Sequence, residues 1–314
     1  MIISTSRRTD IPAYYSDWFF NRIQAGFVYV RNPMNFHQIS KISLLPEDVD
    51  GIVFWTKDPR PMESRLSELD RKYVYYFQFT ITSYGNDVEV NVPNKNTVII
   101  PAFQQLSDQV GPERVIWRYD PIILTAKYTI DHHAQCFSEI AKQLKGYTKR
   151  CVISFVDLYR SIWTGMRDIG YIPLDNDSQY KLAEQLADIA YKNGMIIESC
   201  AEGVDLKQFG IEHGRCVDGS LFETLLGCKL KIDRDKNQRA ECGCAASIDI
   251  GAYNTCLHGC KYCYANFNRK TVAQNYTGYC HESPLLCSEI LPNDVIKERK
   301  VKSCKVWQEE LFAR

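Results

Sequence analysis

Three cysteines, Cys256, Cys260 and Cys263, stand in a Cys-x3-Cys-x2-Cys spacing with Tyr262 directly before the last. Thiolates are the ligands of iron–sulfur clusters and of zinc, and cysteines this close together in a short loop are how such sites are built. Three ligands are one fewer than the four that close a structural site. The spacing therefore reads as a 4Fe–4S cluster with one iron left open for chemistry. The alternative is a structural zinc ion or a closed cluster completed by a distant ligand such as His258 or Cys280.

Elements must position such a claw. Short apolar runs alternate with helical patterns, which predicts βα units around a parallel sheet. The expected strands are Ile2–Ser4, Phe27–Val30, Ile52–Trp55, Tyr73–Thr80, Val115–Tyr119, Val152–Val156 and Met195–Glu198, with Ser247–Ile250 as an eighth. Ile130, Ala134, Phe137, Ala141 and Leu144 follow helical spacing, with Thr129 as N-cap and Gly146 past the end. Leu182, Leu186, Ile189 and Ala190 predict a helix between Ser178 and Gly194. Ser220-x-x-Glu223 reads as a capping box opening a helix that stops at Gly227.

Eight such units predict an α/β fold of the (β/α)8, TIM-like barrel type. A doubly wound open sheet is the runner-up, without a Gly-rich phosphate fingerprint after the first strand. Residues 1–240 supply the barrel units, and 241–314 a Cys-rich metal-binding region that completes the barrel, with a charged surface helix over Lys297–Arg314.

Barrel active sites lie at the C-terminal strand ends. Those ends carry Arg7, Arg8, Asp10, Arg31, Asn32, Lys57, Asp58, Thr80, Thr82, Arg118, Asp120, Asp157 and Glu198. Arg7, Arg8 and Asp10 end the first strand, and an arginine grips a carboxylate bidentately. Lys57, Arg118, Asp120 and Glu198 are weaker polar contacts that serve equally as rim ion pairs. Thr80 and Thr82 share a strand face, where they bond a ribose hydroxyl or line the barrel. Cys200 follows the seventh strand, and Cys242 and Cys244 precede the eighth. With Cys216 they form a second four-thiolate set for an auxiliary 4Fe–4S cluster or zinc, iron–sulfur being the first choice. Buried free cysteines acting as small hydrophobes are the rival reading. Cys228, Cys280, Cys287 and Cys304 are substitutes, while Cys136 and Cys151 read as core. His258 and Lys261 are expected at the solvent or the cluster periphery.

Thirteen cysteines make about 4% of the 314 residues, well below a disulfide scaffold. Eleven of them follow residue 195, so they belong to a site and are not scattered staples. The opening residues lack a signal-peptide core, Arg7-Arg8 has no apolar segment behind it, and no run of 18 apolar residues exists to cross a membrane. A reducing cytoplasm is expected. Lys plus Arg equals Asp plus Glu at 38 each, so net charge supports no nucleic-acid partner, although a local basic groove stays open.

The phrase Asn254-x-Cys256-x-His258-Gly259-Cys260-x-Tyr262-Cys263-Tyr264-Ala265 resembles the radical S-adenosylmethionine signature, closest to its spore photoproduct lyase-like branch. The whole chain resembles the bacterial family DUF1848, whose C-terminal cysteines are compared with that motif. Radical S-adenosylmethionine proteins place the motif early, and here it comes late. The resemblance then implies a circularly permuted barrel in which Ser247–Ile250 plays the first strand and closes beside Ile2–Ser4. Phe54-Trp-Thr-Lys-Asp58 and Trp117-Arg-Tyr-Asp-Pro121 look like strand-end phrases of that branch, in the order permutation requires.

The resemblance also implies an enzyme. Cys256, Cys260 and Cys263 would hold a 4Fe–4S cluster whose open iron binds S-adenosylmethionine, with Tyr262 near the adenine. Arg7, Arg8 and Asp10 would take the methionine end, although the family's Gly-Gly-Glu-Pro-like motif is missing. Reductive cleavage would give a 5′-deoxyadenosyl radical that abstracts hydrogen from a substrate. A flavodoxin- or ferredoxin-like protein would donate the electron, and the lyase-like branch implies damaged DNA or another bulky substrate. Two rivals remain: a barrel hydrolase or lyase with structural metal, and a metal-stabilised binding protein without catalysis, in the manner of a zinc knuckle.

Overall fold

The computed structural model describes residues 1–239 and 241–306. Eleven strands are present among them: β1 (Ile2–Thr5), β2 (Phe27–Asn32), β3 (Asn35–Ser43), β4 (Gly51–Thr56), β5 (Tyr75–Thr80), β6 (Val115–Ile122), β7 (Arg150–Phe155), β8 (Ile196–Ser199), β9 (Glu212–His213), β10 (Ser247–Asp249) and β11 (Val295–Glu298). Eight of them form one parallel sheet in the order β10-β1-β4-β5-β6-β7-β8-β9.

Side chains alternate across this sheet, as a two-residue period requires. Ile3, Phe54, Phe77, Trp117 and Ile153 turn to one face, where they join Phe103, Phe137, Leu144, Leu182 and Leu186 of the covering helices. Ile2, Val53, Tyr76, Ile116 and Val152 turn to the other face. Burial on both faces explains why these strands read as nearly continuous apolar runs.

The expected barrel is not closed. The outer strands β9 and β10 form no ladder with each other among the described residues. The second face of the sheet is covered instead by Cys216, Val217, Phe222, Cys242, Cys244 and Ala245, from the connection between those two strands. The count of eight strands stands, with one exchange of membership. Phe27–Val30 belongs to β2, which pairs antiparallel with β3 in a separate three-stranded sheet, and the short β9 takes its place in the main sheet. A two-residue strand carries too little apolar pattern to be read from sequence.

β10 lies beside β1, with Ile2 opposite Ser247 and Ser4 opposite Asp249. Asp249 ties the two strand ends together: its carboxylate accepts from Ser6 Oγ at 2.6 Å and Arg7 N at 2.9 Å. The strand next to the cysteine claw is therefore spatially the first of the sheet, although it is late in the chain.

The helix Ile130–Leu144 begins at Thr129, whose hydroxyl accepts from His132 N. The helix expected after Ser178 spans Asn176–Lys192 and is capped by Asp175, with Ser178 N as the donor. Likewise Asp218, and not Ser220, caps Gly219–Leu226, which ends at the left-handed Gly227. In both cases an aspartate a few residues earlier accepts the free amides, as a carboxylate at a helix start does well. The expected tail helix is absent over the described part of Lys297–Arg314. There Val295–Glu298 adds parallel to β3, and residues 307–314 lie outside the described residues. No helix among the described residues is long and apolar enough to cross a membrane.

Candidate functional site

The claw occupies the loop that leaves β10, at the C-terminal ends of the parallel strands. Asn254 sits at φ +54°, a conformation asparagine tolerates better than most residues. Its side-chain oxygen accepts from Phe267 N at 2.9 Å and Asn268 N at 3.1 Å, which closes the loop on itself. Asn266 Nδ2 donates to Cys256 O at 2.6 Å. A second clamp comes from the segment after β5: Asn91 N donates to His258 O at 2.9 Å, and Lys261 N to Val88 O at 3.0 Å. Gly259 takes φ +65° between these contacts, which accounts for the glycine of the His-Gly-Cys phrase.

His258 is buried, so of its two expected places the solvent is excluded. Its Nε2 lies 2.7 Å from Asp10 Oδ2 and its Nδ1 2.9 Å from Tyr14 OH. Asp10 also accepts from Lys57 N at 2.7 Å and, as the cap of the helix Ile11–Tyr14, from Ala13 N at 3.0 Å. Four elements thus meet at one carboxylate: the end of β1, the following helix, the end of β4 and the cysteine loop.

Beside the claw stands a charged cluster in which Lys57, Thr82 and Tyr262, expected near the site, meet Glu89 and Lys95, which sequence reasoning missed. Glu89 is buried and receives Lys57 Nζ at 2.7 Å, Lys95 Nζ at 2.6 Å and Thr82 Oγ1 at 3.0 Å. The Tyr262 hydroxyl donates to the same carboxylate. Burial alone would raise the Glu89 pKa, but the two ammonium groups hold it well below the usual carboxylate range. Burial pushes the Cys260 thiol up to about 12, with Lys57 pulling the other way. The Cys256 and Cys263 thiols are raised by burial too. All three thiols are therefore neutral at pH 7. A lone Glu in a polar loop, as Glu89 is in sequence, gives no signal of this role.

The second thiol set is also assembled. Cys200 Sγ and Cys216 Sγ are 3.1 Å apart, and side-chain hydrogen bonds link Cys216 to Cys244 and Cys244 to Cys242. Arg118 Nη1 donates to Cys216 Sγ at 2.8 Å. Among the described residues, neither this set nor the claw has three His, Cys, Asp or Glu side chains already arranged to hold a metal ion.

A family model described as a domain of unknown function, DUF1848, matches residues 2–265. The chain belongs to the DUF1848 family. No curated protein matches it. The DUF1848 match spans the sheet, the claw and the second thiol set alike.

In this DUF1848 chain Arg7, Arg8 and Asp10 do not converge on one ligand. Arg7 turns toward Cys216 and Cys244, stacks on Trp55 at 5.2 Å and lies 3.9 Å from Asp235. Arg8 covers the Tyr253 ring at 5.0 Å. Asp10 has both oxygens engaged by protein donors, so its part is to position His258 and Lys57. Glu198 pairs with Arg150 at 2.7 Å, away from the claw, and Arg31 pairs with Asp294 at 2.8 Å in the smaller sheet. Asp120 accepts from Arg118 Nε at 3.1 Å and from the Ser154 hydroxyl. Thr82 joins the Glu89 cluster, whereas Thr80 lies in the ladder opposite Arg118. Cys151 is core, and Cys136 is half-buried on its helix.

Proposed function

We propose that this chain is a radical S-adenosylmethionine-type enzyme on a circularly permuted barrel-like scaffold. Cys256, Cys260 and Cys263 would hold a 4Fe–4S cluster, which would bind S-adenosylmethionine. One observation carries the reading: three half-buried cysteines share the loop after β10, the strand beside β1, at the C-terminal ends of the sheet. When bound, the cluster supplies one-electron reductive cleavage of S-adenosylmethionine and, through it, hydrogen abstraction from a substrate.

The chain's own residues bind, orient and neutralise. Three thiols give up their protons to become ligands. Asp10 and Tyr14 fix both nitrogens of His258, and so the first half of the loop. Lys57 places a positive charge beside Cys260 and Cys263, which favours their thiolate forms. Glu89 holds the Tyr262 hydroxyl, fixing the ring that stands next to Cys263. An electron donor of flavodoxin or ferredoxin type completes the scheme.

The test is anaerobic purification with iron and sulfide analysis, followed by dithionite and S-adenosylmethionine. The expected result is about four irons per chain and production of 5′-deoxyadenosine, both lost in Cys256→Ala. A chain without iron, or product formation unaffected by Cys256→Ala, would reject the reading.

A further inference from the structure

We propose that Cys200, Cys216, Cys242 and Cys244 bind a single zinc ion that fastens the connection between β9 and β10 over the second face of the sheet. This site is separate from the claw and does not depend on the function proposed above. Cys200 follows β8 and Cys216 follows β9, at one edge of the sheet, while Cys242 and Cys244 lead into β10 at the other. β9 and β10 share no ladder, and the segments after β9 and before β10 meet over the second face of the sheet, where Ala245 N donates to Val217 O at 2.9 Å beside the thiols.

The sulfur spacing selects the kind of metal. Sulfurs on one tetrahedral zinc stand roughly 3.8 Å apart, given Zn–S bonds of about 2.3 Å. The Cys200 and Cys216 sulfurs are at 3.1 Å and need only part to take their places around one ion. A four-iron cluster puts each cysteine on a separate iron, well outside mutual contact. Binding breaks four S–H bonds, forms four Zn–S bonds and sends four protons to solvent.

Charge supports an anionic complex here. Four thiolates on a divalent ion leave two negative charges, and two guanidiniums face the set. Arg118 donates to Cys216 Sγ, and Arg7 is directed at Cys244 and Cys216. The two arginines lie 5.2 and 5.3 Å from the Trp55 ring, which holds both in place. Arg7 Nη2 is buried without a hydrogen-bond partner, and a metal thiolate supplies one.

The experiment is metal analysis and native mass spectrometry on the full chain, purified anaerobically from cells supplied with both iron and zinc. About one zinc per chain is expected, falling at least tenfold in Cys216→Ser/Cys244→Ser while iron is unchanged. Cys242→His should keep the zinc, since zinc accepts a three-cysteine, one-histidine set, which guards against mere misfolding of the serine variant. Cobalt(II) exchanged into the site should show thiolate charge-transfer absorption that the serine variant lacks. A zinc-free chain would overturn the proposal, as would a mass showing a Cys200–Cys216 disulfide. So would about eight irons per chain, of which half vanish in the serine variant. Absence of iron with zinc retained would leave this site standing and sink only the cluster reading.

Discussion

Asp10 and His258, 248 positions apart in sequence, share a 2.7 Å contact in the buried interior. The contact joins the end of β1 to the middle of the cysteine loop. Asp10 Oδ2 bonds Lys57 N as well, so the loop is registered against two strand ends at once.

Asp10→Asn tests this registration. Asparagine still caps the helix at Ile11–Tyr14, so helix stability changes little. It cannot match the charged acceptor for both His258 and Lys57 N. Loosening His258 loosens the loop between Cys256 and Cys260, so iron retention during competition with a chelator should fall. Retention equal to the wild type would assign Asp10 to capping alone.

Glu89→Gln leaves Lys57 and Lys95 without their buried counter-charge. Removing one partner of a buried ion pair costs about 3–5 kcal/mol. Urea unfolding should show a loss of that size, partly recovered when Lys95→Met is added to the same chain. An unchanged unfolding midpoint would mean that the cluster is solvated.

Gly259→Ala places a side chain at φ +65°, with Val90 Cβ and Asn91 Nδ2 each 3.4 Å from the new methyl. The strain should cost about 1 kcal/mol and loosen the loop between Cys256 and Cys260. Iron content after reconstitution and thermal unfolding report the two effects separately.

His133 predicts a pH dependence. It is fully buried, with Nε2 3.0 Å from Ile123 O and Nδ1 2.8 Å from Tyr119 OH, and burial pushes its pKa from 6.5 down to about 4. The unfolded chain then binds the proton more tightly than the folded one. Its contribution is complete above pH 6.5 and disappears as pH falls toward 4. The full shift is on the order of 3 kcal/mol. Urea midpoints measured at pH 7.5 and pH 4.5 should converge in His133→Gln relative to the wild type; parallel behaviour would place the acid sensitivity elsewhere.

The repeating βα pattern, the eight-strand count, the helix Ile130–Leu144 and the position of the claw after Ser247–Ile250 were legible in the chain itself. Each rests on local periodicity or spacing, which a linear string records directly. The four cysteines of the second set were also legible, because their types and clustering after residue 195 are unusual. Caps were read less well: Asp175 and Asp218 outrank Ser178 and Ser220 only once the first helical turn is in place.

Tertiary structure alone decided which strands share a sheet. β2 and β3 pair locally as a hairpin, and the two-residue β9 enters the main sheet only because β8 offers it an edge. It also decided that the sheet stays open, since residues between β9 and β10 fold onto its second face. The Asp10–His258 contact and the Lys57–Glu89–Lys95 cluster arise from side chains of ordinary type, far apart in sequence. Charges and hydrogen bonds act over a few ångströms of space, so such partners have no spacing to read until the strands bring them together.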